Sequence, residues 1–467
     1  MTAQELFKEV KAKAKTFGLI AKNDRQTIVE PKGNAIVREN MADAAFTDGK
    51  AYFGFIAEEE ETSGAYSDFS FVIFPDKEEE VGACVVALGV GSSGFKNDYQ
   101  LAALPGLRRD FLKLRGDKTF FKTNFSDIES TSSELLKEVK TNYSALAKVI
   151  DTYKTVLPAA VIVDDVENNL HVIYQWLAIY AKMRDWGTAE HRREVNKTLD
   201  TIINAPIVNA EEEIKDLLNT RKYVVLQGAP GTGKTWSALQ IAKEEYSRTF
   251  FEQFHAETTY SDFVYGLEPN CHAKAGEPQF KPKEGILYQA VKYAIENNEQ
   301  KVLLIIDEIN RANLSNVLGP IFYLFEYQSG KRKVALKLGD IEISSLPENL
   351  HVLATMNTAD RSLAVVDFAL RRRFAWYTLR PHILPGRDFD KETFNRFERI
   401  FYKYATDEEL NLQPGHSYFT DKSQMKERMV YELMPLIKEY LAEGYLLNAK
   451  DEFCSLFLEK TGKLMYE

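Results

Sequence analysis

Eight consecutive residues, Gly228, Ala229, Pro230, Gly231, Thr232, Gly233, Lys234 and Thr235, spell G-x-x-x-x-G-K-T. They follow an apolar run, YVVL, and open a segment with helical spacing, WSALQIAKE. A glycine-rich loop between a strand and a helix lets the backbone wrap closely and aim its N–H groups at phosphate oxygens. The positive end of the helix faces the same anion. Lys234 is then placed to reach β- and γ-phosphates, and Thr235 to put its hydroxyl on Mg²⁺. The competing reading is a glycine turn with an incidental lysine, and the strand–loop–helix context argues against it.

A second apolar run, VLLII, ends in Asp307 and Glu308. A buried parallel strand delivers acids to the edge of a sheet in this way. Asp307 is expected in the Mg²⁺ shell and Glu308 to polarise an attacking water. Solvated acids at a strand end would look the same in isolation, but the phosphate loop upstream supplies the other half of a phosphoryl-transfer site. A third apolar run, LHVLATM, carries Asn357 just past its end. Further on, Arg371, Arg372 and Arg373 stand in succession after an apolar stretch. Three adjacent guanidinium groups are costly to bury without anions, and a neighbouring subunit's γ-phosphate would supply one. An ordinary basic helix C-terminus is the alternative.

These segments resemble the McrB family, the NTPase subunits of McrBC modification-dependent restriction systems. The most specific match is MNTADRSLAVVDFALRRRF (356–374). LIIDEINRANLSNVLGPIFYLFE (304–326), FHAETTYSDFVYGLEP (254–269) and LQPGHSYF (412–419) followed by ELMPLIKEYL also look like the family. The resemblance spans about residues 209–446. It implies an AAA+ P-loop NTPase module, a parallel sheet sandwiched by helices, with a C-terminal helical lid. In that architecture the Asn357 strand lies between the other two, and Asn357 orients the water or senses the γ-phosphate. By resemblance, residues 228–235 and Asp307 bind nucleotide, and Thr235 and Asp307 hold Mg²⁺. Glu308 activates water, helped by Asn357 and Asp360. Arg361, Arg371, Arg372 and Arg373 include the residues acting on a neighbouring subunit. The resemblance also implies a ring, typically a hexamer, a McrC-like partner carrying the nuclease, and GTP in preference to ATP. No NKxD guanine motif is present, and the family uses none. Ala229 and Thr232 differ from the commonest family choices, at positions that supply no essential side chain.

The elements that must position these residues set the domain plan. The 467 residues suggest two to three domains. With 45% hydrophobic and 12% aromatic residues the chain can bury a core. A net charge of −10 argues against non-specific coating of nucleic acid. Cys84, Cys271 and Cys454 form no CxxC pair, so neither a disulfide framework nor a zinc site is indicated. The opening MTAQELFKEVKAKAK reads as an amphipathic helix rather than a signal peptide, and no run suggests a membrane span, so a cytoplasmic protein is expected.

Four parts follow. Residues 1–130 form an α+β domain with strand-like runs at 51–56, 69–74 and 82–90. Residues 131–208 form a helical connector, interrupted by VLPAAVIVDDVEN. Residues 209–380 are the α/β nucleotide-binding core, and 381–467 the helical lid. The resemblance, in which variable N-terminal domains read the target, implies that this domain recognises DNA, including modified DNA, with RNA or protein left open as targets. PGLRRDFLKLRGDKTFFKTNF (105–125) is the candidate nucleic-acid patch. Arg108, Arg109, Lys113, Arg115, Lys118 and Lys122 would meet phosphates, with Phe120 and Phe121 for stacking. The plainer alternative is an amphipathic helix and strand whose phenylalanines form core. LGVGSSGFKNDY (88–99) is read as a turn, and no nuclease constellation is evident before residue 200. A MoxR-like remodelling ATPase and a nucleotide-gated binding module are the alternative functions.

Overall fold

The computed structural model describes residues 1–20, 35–57, 70–89, 104–113, 118–121, 133–153, 157, 159–200, 210–274, 278–325, 335–359, 371–386 and 388–466. The chain divides into two compact units, Met1–Ala205 and Pro206–Glu467.

The first unit is built on a six-stranded antiparallel sheet. Its strands are β1 (Ala35–Asn40), β2 (Tyr52–Ala57), β3 (Ser70–Pro75), β4 (Ala83–Gly89), β5 (Thr119–Phe121) and β6 (Ala159–Asp164), in the order β1-β2-β3-β4-β6-β5. Every residue of β3 and β4 is buried, because helices cover both faces. The two-residue repeat sorts the side chains. Val72, Phe74, Val85, Ala87 and Ile162 form one cluster with Leu135, Val139, Leu146 and Ile150 of the helices Ser133–Asn142 and Ser144–Tyr153. On the opposite face Phe71 meets Tyr180 of the helix Leu170–Arg184, ring centroids 6.2 Å apart. Phe53 meets Phe7 of the helix Ala3–Thr16 at 5.2 Å.

One expectation is corrected here. Residues 131–208 do not form a separate helical connector. The interrupting VLPAAVIVDDVEN supplies β6, which pairs with β4 on one side and β5 on the other. The flanking helices cover the sheet that β6 completes. The segment as far as Ala205 is therefore part of the N-terminal unit.

The second unit holds a five-stranded parallel sheet, β7 (Tyr223–Gly228), β8 (Arg248–Gln253), β11 (Val302–Asp307), β14 (Leu350–Asn357) and β15 (Ala375–Thr378), in the order β15-β7-β14-β11-β8. The Asn357 strand does lie between the phosphate-loop strand and the acid strand. Helices Ala210–Arg221 and Lys234–Glu245 pack on one face, through Ile214, Leu218, Ala238 and Ile241 against Val224, Leu226, Leu303, Ile305 and Leu353. The helix Ile286–Glu296 and the segment Gly319–Phe325 cover the other, against Val225, Leu304, Ile306, Val352 and Ala354. Two short hairpins, β9 (Tyr265–Pro269) with β10 (Phe280–Glu284) and β12 (Leu336–Leu338) with β13 (Ile341–Ile343), flank this core. A helical lid follows. Its helices Lys391–Tyr404 and Lys450–Thr461 pack through Phe394, Phe397, Phe401, Phe453 and Phe457.

Candidate functional site

β7 ends at Gly228, and the helix Lys234–Glu245 begins six residues on. Gly231 and Gly233 both have φ of +79°, a left-handed conformation that glycine adopts without a Cβ clash. Thr232 Oγ1 donates to the Ala229 carbonyl at 2.9 Å and stiffens the loop from inside. Lys234, 8% exposed, donates its Nζ to the carbonyls of Gly228 at 3.0 Å and Ala229 at 2.9 Å. The ammonium is held over the loop, where a phosphate would offer it better acceptors.

The parallel register places Asn357 beside Gly228. One carboxylate oxygen ties β11 to β14 and to the helix that follows the phosphate loop. Asp307 Oδ1 accepts from Thr235 Oγ1 at 2.7 Å and from Thr355 Oγ1 at 2.7 Å. Thr355 Oγ1 also accepts from the Glu308 backbone N–H at 2.9 Å. Glu308 has φ of +53°, an uncommon conformation for a residue with a Cβ. Glu308 Oε1 accepts from Asn357 Nδ2 at 3.4 Å, and Oε2 forms an ion pair with Arg311. Asn310 Nδ2 donates to the Asn357 carbonyl at 3.3 Å. Lys234, Thr235, Glu308, Thr355 and Asn357 line one open cavity of about 320 Å³.

The lid closes on the loop through its backbone. Gly415 N–H donates to the Pro230 carbonyl at 3.0 Å, and Ser417 N–H to the Gly231 carbonyl at 3.1 Å. A Cβ on Gly415 would overlap the Gly231 carbonyl carbon, so only glycine permits this approach. Beside it lies a second cavity of about 800 Å³, lined among others by Trp236, Tyr377, His382 and His416. Gly233 and Trp236 line both cavities, so the two adjoin.

The expected core of the site is thus assembled, and the structure adds three residues. Thr355, which links Asp307 to Glu308, was legible in principle: it lies two positions before Asn357, on the same face of β14. Arg311 and His416 lie in the segments 304–326 and 412–419 quoted for the resemblance, but no spacing singled either of them out. Asp360 and Arg361 lie outside the described residues. Arg371, Arg372 and Arg373 occupy the turn before β15. The Arg371 guanidinium lies over the Trp376 ring at 5.2 Å and that of Arg373 over Phe322 at 5.7 Å. None of the three lines either cavity.

The basic and aromatic residues at 105–125 are not brought together as one patch among the described residues. Lys118 is ion-paired with Asp164 and donates to Tyr143 Oη at 2.8 Å. Phe120 packs against the sheet's hydrophobic cluster. Lys113 lies 3.5 Å from the buried Asp110. Arg108 is exposed and Arg109 half-buried on the helix Pro105–Lys113. Phe121 is half-buried on the short edge strand β5. Arg115 and Lys122 lie outside the described residues.

Donor chemistry at the phosphate loop fits Mg²⁺. A threonine hydroxyl and one carboxylate oxygen converge within hydrogen-bond distance, both hard oxygen donors, and this ion takes its remaining ligands from phosphates and water. No helix among the described residues is long and apolar enough to cross a membrane.

Comparison with known proteins agrees with this geometry. Residues 223–374 match the AAA domain family, dynein-related subfamily. The chain is 34% identical over 262 residues to the type IV methyl-directed restriction enzyme EcoKMcrB subunit of Escherichia coli K12, covering 49% of this chain and 56% of that protein. It is 29% identical over 193 residues to the type II restriction enzyme BsuMI component YdiS of Bacillus subtilis 168, covering 32% of this chain and 55% of that one. The chain spans about half the length of these curated relatives. With the phosphate loop, the acid strand and the intervening asparagine strand all in place, residues 223–374 form an AAA domain, and the chain resembles the McrB subunit over about half its length.

Proposed function

We propose that this chain is the motor subunit of a restriction system, a ring-forming NTPase that hydrolyses GTP or ATP, with GTP preferred. Hydrolysis drives DNA translocation and a McrC-like partner that carries the nuclease, while the N-terminal unit recognises DNA. The observation that carries the reading is the shared Asp307 oxygen, which locks the phosphate loop, the acid strand and the intervening strand into one site. Similarity to two restriction-system components supports the cellular role.

Residues 228–235 wrap the phosphates, and the nucleoside occupies the larger adjoining cavity. Thr235 and Asp307 hold Mg²⁺, which when bound neutralises charge on the β- and γ-phosphates. Lys234 leaves the loop carbonyls for the phosphate oxygens. Glu308 orients and polarises water, with Asn357 holding one carboxylate oxygen. Arg371, Arg372 and Arg373, away from their own cavity, act on the site of the next subunit, in a ring expected to be a hexamer.

Phosphate release by the purified chain, with GTP and ATP in parallel and Lys234→Ala as blank, tests this. Turnover is expected with the wild type and none with the blank. Glu308→Gln is expected to lower turnover by about 100-fold or more while nucleotide still binds. Turnover unchanged in Lys234→Ala would overturn the reading.

A further inference from the structure

The chain has four tryptophans, and three of them are packed. Trp176 is 1% exposed, Trp186 meets Tyr180 edge-on and carries Arg184, and Trp376 carries Arg371. Trp236 differs, standing 60% exposed. It follows Thr235 directly, in the first turn of the helix Lys234–Glu245. The next two residues, Ser237 and Ala238, are buried, so the indole occupies the outer side of that turn. The ring borders both cavities, the one over the phosphate loop and the 800 Å³ one beside it. Apolar side chains of Leu379, Pro381 and Leu384 line the larger cavity as well. A large aromatic surface left open at a cavity with apolar walls is a feature of ligand sites.

We propose that Trp236 stacks on the base of the bound nucleotide and selects purine over pyrimidine nucleotides. The inference rests on residues 228–235 being the phosphate site and on the nucleoside lying in the larger cavity. A nucleotide seated in that way crosses from one cavity to the other past Gly233 and Trp236, which border both. The face of an indole carries partial negative charge and offers nothing to a phosphate, which the loop N–H groups and Lys234 serve. It does suit the flat face of a base. Stacking strengthens with the overlapping ring area, so a two-ring purine gains more than a one-ring pyrimidine. GTP and ATP are both purines, and Trp236 therefore sets the class of base and leaves the choice between these two to other groups.

The test is equilibrium binding by the full chain, with Mg²⁺, of GTP, ATP, CTP, UTP and inorganic triphosphate. Melting temperatures are recorded for each variant. Trp236→Ala is expected to weaken binding of the preferred purine nucleotide by about tenfold, to weaken CTP and UTP by about threefold or less, and to leave inorganic triphosphate unchanged. Trp236→Phe, which keeps one aromatic ring, should recover part of the purine affinity and guards against a folding defect. Indole emission should be quenched when the purine nucleotide binds the wild type, and the quenching should be lost in Trp236→Phe. An equal loss for nucleotides and inorganic triphosphate overturns the inference, because Trp236 would then only shape the phosphate loop. An equal loss for purine and pyrimidine nucleotides overturns the selectivity, and no loss for any ligand overturns the contact itself. Failure of the underlying reading looks different: the wild type binds neither nucleotides nor inorganic triphosphate, or Lys234→Ala binds them as well as the wild type.

Discussion

Asp307 accepts two hydroxyl hydrogen bonds on one oxygen, and one of the donors, Thr355, also receives the Glu308 N–H. Thr355 is 1% exposed, so valine fits its space but leaves the Glu308 N–H unsatisfied and frees the Asp307 carboxylate to rotate. Thr355→Val is expected to cost about 1–2 kcal/mol of stability and to lower turnover more than nucleotide affinity, as phosphate-release kinetics beside a binding titration would show. Unchanged turnover would mean that the Asp307–Thr355–Glu308 chain does not position the acids. A second residue-scale effect follows from His351, 6% exposed on β14, whose Nδ1 lies 2.7 Å from Tyr246 Oη. Burial, followed by Lys301 and Lys222, lowers its pKa from 6.5 to about 4. The folded state keeps this ring neutral while the unfolded chain protonates it. The stability it contributes is therefore full above about pH 6.5 and drains away as the pH falls towards 4, by on the order of 3 kcal/mol. His416 shifts in the same direction. Calorimetric melts from pH 7 to 4.5 should show the second unit destabilised by acid, with a shallower slope in His351→Gln. An identical slope in that variant would remove His351 as the cause.

Elements decide which of these contacts could be foreseen. The strands ending at Gly228, Asp307 and Asn357 were legible because each is a short apolar run ending in a residue type that chemistry needs. Three of the six N-terminal strands, β2, β3 and β4, were legible to within a residue or so at 51–56, 69–74 and 82–90, while β1 was not read. β6 was not, because AAVIVD stands between two helical stretches, and only its long-range pairing with β4 makes it part of a sheet. The clamp of Gly415 on Gly231 was hidden for the same reason: 184 residues separate two glycines whose backbones touch. This clamp joins the lid to the phosphate loop by two backbone hydrogen bonds. Gly415→Ala must push the lid loop back. It is expected to weaken nucleotide binding by about tenfold, since even a small shift misplaces the phosphate loop. Its melting temperature should fall less than that of a core truncation, because the lid keeps its own phenylalanine core. Wild-type affinity in Gly415→Ala would show that the clamp is dispensable for binding.

At the scale of the whole molecule the chain parts between Ala205 and Pro206, not near residue 130. All the groups that make the phosphate site, from Gly228 to the lid's Gly415 and His416, lie in the second unit. A fragment of residues 206–467 should therefore fold alone and bind nucleotide within about threefold of the full chain, a difference below 1 kcal/mol. The N-terminal unit behaves differently according to where it is cut. Residues 1–205 keep β6 between β4 and β5 and keep helices on both faces. Residues 1–130 lose β6 and its covering helices, which bares the edge of β4 and the apolar row Val72, Phe74, Val85 and Ala87. An exposed long apolar edge is a template for aggregation. Expression of both fragments, followed by size-exclusion chromatography and circular dichroism, separates the two cuts. Residues 1–205 are expected as a soluble folded species and 1–130 as aggregate. A well-folded 1–130 fragment would mean that the sheet does not need β6, and the second half of this unit would again be a connector.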